Sequence, residues 1–343
     1  MAMGDQTDFV AYEFRATEAW KRRDYELAVS AAAAGASEAL SAGSSEGAAR
    51  LLLLQAQVEF DTGQYDHVLE AVEALLALGV DDASLRMQAQ KYKALVLQTT
   101  GHMEEAVAVA RESIAEAYRD PVGRRQSMDL HWVLIAVLAE SGRLAEAWDA
   151  SLELADLAEG SVDQQAAGKS YWAVGNTAFL TGRIEEAEHF HRLAAENLSR
   201  HRDVNGWALF NKASANMRLH SGLVNEKTLD CIVRAELAIS VTGGNARDQL
   251  EVALLRAHWD ILSGAPKESL KRLDELQLAK RDVPDLVTAE WWYLRALATE
   301  YLGDSQDAAL MAANAVEIYR NNGAEIQLMR AQELLDRSSG VES

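Results

Sequence analysis

Apolar and small residues recur along this chain at helical spacing, and runs with the period-two alternation of a half-buried strand are absent. The helical pattern is broken in the same way eight times: Arg23-Asp24-Tyr25-Glu26, Gly63-Gln64-Tyr65-Asp66, Gly101-His102-Met103-Glu104, Gly142-Arg143-Leu144-Ala145, Gly182-Arg183-Ile184-Glu185, Gly222-Leu223-Val224-Asn225, Gly264-Ala265-Pro266-Lys267 and Gly303-Asp304-Ser305-Gln306. Successive breaks lie 40, 38, 41, 40, 40, 42 and 39 residues apart. Seven of the eight open on Gly, the residue that takes a left-handed conformation past a helix end without steric cost. Each unit therefore reads as helix A, tight turn, helix B.

Two rows of small residues support this reading. Seven residues before the turns stand Ala16, Ala56, Ala94, Ile135, Gly175, Ala215, Ala257 and Ala296. Five after them stand Ala28, Val68, Ala106, Ala147, Ala187, Lys227, Ser269 and Ala308. Small side chains at both places let helices A and B of one unit approach closely. Lys227 breaks the second row. With the 42-residue step that follows Gly222 and the pair Gly243-Gly244, it predicts a local slip or insertion within residues 222–245.

A small residue in mid helix A, Gly at the turn and Ala early in helix B resembles the tetratricopeptide repeat. The resemblance covers about residues 7–322. The usual unit is about 34 residues, and the longer unit here is similar to the repeats in sensor domains of bacterial regulators of the MalT type and the Rap and PlcR type. HEAT-like repeats share the length but not the Ala/Gly/Ala signature. The expected fold is all-α: a right-handed superhelical solenoid of about eight antiparallel helix pairs plus a C-terminal capping helix. It forms a single repeat domain over 1–343, with repeats at about 7–43, 44–80, 81–120, 121–160, 161–203, 204–244, 245–282 and 283–323. The cap, 324–337, carries Ile326, Leu328, Ala331, Leu334 and Leu335 on one face.

Composition narrows the function. Thirty-three Lys and Arg against 53 Asp and Glu give a net charge of −20, so phosphate backbones and anionic leaflets are repelled. No nucleic-acid or membrane partner is expected. Only Cys231 could form a disulfide or a thiolate metal site, so neither can be built within one chain, and a reducing compartment fits. The first five residues lack a basic region and an apolar core, so no signal peptide is read and a cytoplasmic location is expected. Pro occurs three times in 343 residues, as a helical chain requires.

Catalytic motifs are absent: no P-loop, no dinucleotide fingerprint, no nucleophile elbow and no paired-histidine zinc helix. His189 and His191 stand two apart on a helix and diverge, so they cannot share an ion. No metal and no cofactor are expected. Cys231 reads as a small buried hydrophobe. Glu104-Glu105 and Glu185-Glu186 open B helices, where they complement the macrodipole.

In tetratricopeptide folds the concave face is lined by residues about ten and six before the turn. By that resemblance the candidate ligand- or peptide-binding residues are Lys91, Trp132, Trp172, Asn176, Lys212, Asn216, His258 and Tyr293. Asn176 and Asn216, 40 apart, would form a ladder toward an extended peptide backbone. Lys212 would suit a terminal carboxylate, and the Trp rings would form apolar walls. These rings could equally pack between repeats. Of Trp291-Trp292-Tyr293, one ring is expected to be exposed or to line a contact surface. The resemblance implies a non-catalytic sensor domain of a cytoplasmic transcriptional regulator. It would bind a peptide, a protein segment or a small molecule in the concave groove, with the DNA-binding part upstream of residue 1 or on a separate protein. The alternatives are an interaction scaffold without switching and, with no motif behind it, an enzyme. A homodimer is compatible with either of the first two readings.

Overall fold

A computed structural model describes residues 8–119, 121–199, 201, 203–242, 246–276, 278 and 283–340. The first five residues and the Gly243-Gly244 pair lie outside these. The described residues contain helices and turns and no strand. They cluster into two compact units, Met1–Leu157 and Ala158–Ser343.

The first unit holds α1 (Asp8–Lys21), α2 (Tyr25–Ser41), α3 (Ser45–Asp61), α4 (Tyr65–Ala77), α5 (Ala83–Thr99), α6 (Met103–Ala117), α7 (Pro121–Gln126), α8 (Met128–Glu140) and α9 (Leu144–Ala158), which ends at the boundary. The second holds α10 (Gln164–Leu180), α11 (Ile184–Asn197), α12 (Val204–His220), α13 (Glu226–Thr242), α14 (Ala246–Leu262), α15 (Pro266–Glu275), α16 (Asp285–Tyr301), α17 (Ser305–Asn321) and α18 (Glu325–Ser338). Apart from the single-turn α7 and the terminal α18, they form A–B hairpins in chain order.

The turns share one geometry. The seven glycines have φ between 71° and 93°, and Arg23, which opens the first turn, adopts φ 61°. After each, the next N–H donates to the carbonyl five residues back, from Asp24 to Ala19 through Asp304 to Thr299, at 2.7–3.2 Å. This bond satisfies a carbonyl that the helix end would leave open. Asp24, Asp163, Asp203 and Asp304 accept backbone N–H groups from the helices they precede.

Apart from Lys227, both small-residue rows are buried, as close packing of A on B requires. Gly175 has a specific reason. A Cβ there would stand 2.2 Å from Cδ2 of His191, which occupies a position on α11 where α2, α6 and α17 carry Ala32, Ala110 and Ala312. The missing methyl on one helix makes room for the ring on the other.

The slip appears at α13 and amounts to one residue. Where other B helices begin two residues after the turn residue, α13 begins at Glu226, four after Gly222. Lys227 points outward, its side chain 72% exposed. Thr228 takes the buried place instead, donating its Oγ1–H to the Leu223 carbonyl (2.8 Å) and accepting from Nε of Arg218 (3.1 Å). Helix A of the fourth repeat is also divided: α7 ends at Gln126 and α8 resumes at Met128. Ser127 donates to the Arg124 carbonyl at 2.7 Å at the break.

Candidate functional site

The second unit encloses an open cavity of about 390 Å³. Four A helices and the last helix line it. Helix α10 gives Trp172; α12 gives Leu209, Lys212, Ala213 and Asn216; α14 gives Arg247, Glu251, Leu254, Leu255 and His258; α16 gives Leu286, Val287 and Glu290; α18 gives Gln327. The apolar part comes from positions whose neighbours form the core, so the cavity is a gap in the same packing that holds the helices together.

Its charged rim is internally paired. Lys212 Nζ donates to Asp248 Oδ1 at 2.9 Å and to Glu251 Oε2, and the Lys212 side chain is 16% exposed. Arg247 Nε meets Glu251 Oε1 at 2.7 Å. Burial works against the Lys212 charge, but the two carboxylates hold its pKa above the usual lysine value. This corrects the sequence expectation that Lys212 waits for a ligand carboxylate: two carboxylates of the next A helix already occupy it.

The pairing follows a rule along the chain. Residues ten before a turn meet residues thirteen before the next turn. Glu13 pairs with Arg50 at 3.3 Å, Lys91 with Asp129 at 2.8 Å, and Lys212 with Glu251. Lys91 therefore lies in the first unit engaged with Asp129 and set over the Tyr92 ring, 5.0 Å from its centroid. Trp132 is half-buried on α8 in the same unit.

Asn176 is outside the cavity lining. Its Oδ1 accepts from Nε2 of His191 at 3.1 Å, and the other ring nitrogen, Nδ1, lies 2.9 Å from the Ser214 hydroxyl. His191 is thus a neutral buried imidazole, donating on one side and accepting on the other. Burial lowers its pKa to about 3, with the Arg218 charge adding to the effect. Asn216, one repeat later, does line the cavity. The two asparagines share a sequence row but not an environment.

Trp172 stacks edge-on against Phe210, centroids 5.8 Å apart. Its Nε1–H is buried without a hydrogen-bond partner. Tyr293 lies beneath the cavity beside His220 and His258, and burial raises its pKa to about 12. In the Trp291-Trp292-Tyr293 run all three residues are half-buried and none is exposed. Trp291 donates to the Leu273 carbonyl at 2.9 Å beneath the Arg295 guanidinium, while Trp292 and Tyr293 pack on the cluster around Ala289 and Tyr319. Cys231 is half-buried beside Ile232 and Trp259, and burial raises its thiol pKa. His189 is exposed and His191 buried, so these rings do diverge.

Sequence reasoning missed Glu251, Asp248, Arg247, Glu290 and His220. The signal for Glu251 was a carboxylate 39 residues after Lys212, the same kind of separation as between Lys91 and Asp129.

No family model and no curated protein matches the chain. Solved structures do. The selenomethionine form of phAimR superposes with a TM-score of 0.60 at 12% identity, over 94% of this chain and 76% of its own. A tetratricopeptide repeat protein from Parabacteroides merdae gives 0.48 at 10% identity, over 85% and 98%. The tetratricopeptide domain of P58(IPK) gives 0.28 at 14%, over 97% and 99%. At such identities the likeness concerns the fold: this chain has an all-α helical-repeat fold similar to that of phAimR, and its helix pairs carry the tetratricopeptide-like turns and small-residue rows described above.

Proposed function

We propose that this chain is a non-catalytic, ligand-sensing repeat domain of a cytoplasmic regulator, and that the cavity of its second unit takes a short neutral or basic peptide or a small molecule. One observation carries the reading. Trp172 lines the cavity with its ring, and its indole N–H is buried with no acceptor. A buried donor left unpaired costs about 1–3 kcal/mol, so a modest turn of the ring toward a ligand is favoured. An acceptor on a ligand, such as a peptide carbonyl, would remove that cost. Asn216 offers both a donor and an acceptor from the next A helix, and Leu254, Leu255, Leu286 and Val287 offer apolar walls. An acidic ligand is disfavoured, because Lys212 and Arg247 are already paired and the chain carries net charge −20. The resemblance to bacterial sensor domains and the fold shared with phAimR support the regulator role.

The test is a thermal-shift screen of short peptides and small molecules, with hits followed by calorimetry on variants. Trp172→Phe keeps an aromatic ring against Phe210 and removes the donor together with part of the indole. It and Asn216→Ala should melt near the wild type and weaken binding about tenfold or more. Hits that bind both variants normally would refute the assignment. A large fall in melting temperature for both would make these side chains structural.

A further inference from the structure

Below the cavity floor, three successive A helices converge on one point. His220 comes from the last turn of α12, His258 from the C-terminal half of α14, and Glu290 from the second turn of α16. One donor atom from each lies within 4.8 Å of the others. His220 Nε2 and Glu290 Oε1 are 3.6 Å apart, too far for a hydrogen bond, and the His220 and His258 ring centroids are 4.8 Å apart. Both imidazoles are almost wholly enclosed, the His220 side chain 5% exposed and His258 3%. Nδ1 of His258 has no hydrogen-bond partner.

We propose that His220, His258 and Glu290 bind a divalent transition-metal ion, zinc in first place. Two imidazoles and a carboxylate form a borderline donor set of the kind zinc accepts. With metal–ligand distances of about 2.0–2.2 Å, tetrahedral donors stand about 3.4 Å apart. The His220–Glu290 separation already matches this, and a side-chain rotation closes the rest.

The surroundings suit an ion. Burial keeps both histidines neutral, the form that coordinates. Glu290 Oε2 accepts from the Tyr319 hydroxyl at 2.7 Å, which fixes the carboxylate as outer-shell partners do. Burial raises the Glu290 pKa, the Tyr319 hydrogen bond and the Arg330 charge acting the other way. That same Arg330 charge also acts on His220 and His258, so an ion must bind against it. His258 and Glu290 also line the cavity above, so an ion has a path in. Three protein ligands leave one coordination position for water or a donor atom from the cavity.

The proposal stands apart from the peptide reading, because metal uptake is measured with the cavity empty. The untagged chain, stripped with chelator, is titrated with zinc chloride and the bound metal counted. One zinc per chain is expected, with a rise in melting temperature. His220→Gln, His258→Gln and Glu290→Gln should each weaken uptake about tenfold or more, whereas His67→Gln and His189→Gln, at exposed sites, should not. X-ray absorption on the zinc-loaded wild type should show two imidazoles in the coordination shell, a readout that survives even if a buried variant fails to fold. No uptake, uptake unaffected by the three substitutions, or a shell without paired imidazoles would overturn the site, leaving the cluster as a buried polar network.

Discussion

A residue's place in a repeat sets its backbone shape before its side chain matters. A Cβ added at Gly142, φ 71°, would meet nothing within 4 Å, so the cost of adding one is purely conformational. Gly142→Ala should lower stability by about 1 kcal/mol, measured by urea unfolding. Arg23 holds the same conformation with a side chain, φ 61°. Arg23→Gly should therefore be neutral or stabilising by less than about 1 kcal/mol, the relief being partly offset by the freedom glycine gains when unfolded. If Arg23→Gly costs as much as Gly142→Ala, the turn geometry is not what limits these positions. The same scale explains Asn176. It looks equivalent to Asn216 in sequence, but the neighbour of one is His191 and of the other a cavity. That difference originates in Gly175, whose missing methyl admits the His191 ring.

At the scale of the element, a B helix is phased by what it buries and not by its distance from the turn. Helix α13 starts late and rotates so that Thr228, not Lys227, meets helix A. Lys227→Ala should then change stability by no more than about 0.5 kcal/mol. Thr228→Leu should cost about 1–3 kcal/mol or more, since it overfills the contact and strands the Arg218 and Leu223 groups. Melting curves of the two variants decide this, and a reversed order would put Lys227 back in the row. Helix α7 and its break at Ser127 had no counterpart in the pattern, because Pro121 and the residues after it are compatible with a continuing first turn.

Across the whole molecule, the fold was legible because each repeat restates the same signal, and eight weak statements add up. The pairs Ala16/Ala28 and Ala296/Ala308 say nothing alone, but their rows do. The site was less legible. A row shows which residues share a position, but not what the next repeat sets against it. Lys91 and Lys212 looked free until Asp129 and Glu251 were found opposite. The acid limb of stability belongs to this scale too. His191 titrates near 6.5 when unfolded and at about 3 when buried. Between those values the unfolded chain binds a proton that the folded chain refuses. The contribution is complete above about pH 6.5 and is lost as pH falls toward 3, at up to about 1.4 kcal/mol per pH unit. Unfolding free energies measured across that window should be steeper for the wild type than for His191→Gln. Equal slopes would mean the ring is hydrated in the folded state.

The late start of α13 has a practical side. The stretch from Leu223 to Asn225 already carries extra length, and the helices on either side keep their packing. The added length is itself braced: the Leu223 carbonyl accepts from Thr228 and the Asn225 side chain caps the start of α13. An epitope inserted between Val224 and Asn225 would part these two ties, so the very stretch that looks like spare cord works as a knot, and cutting into it would loosen the second unit.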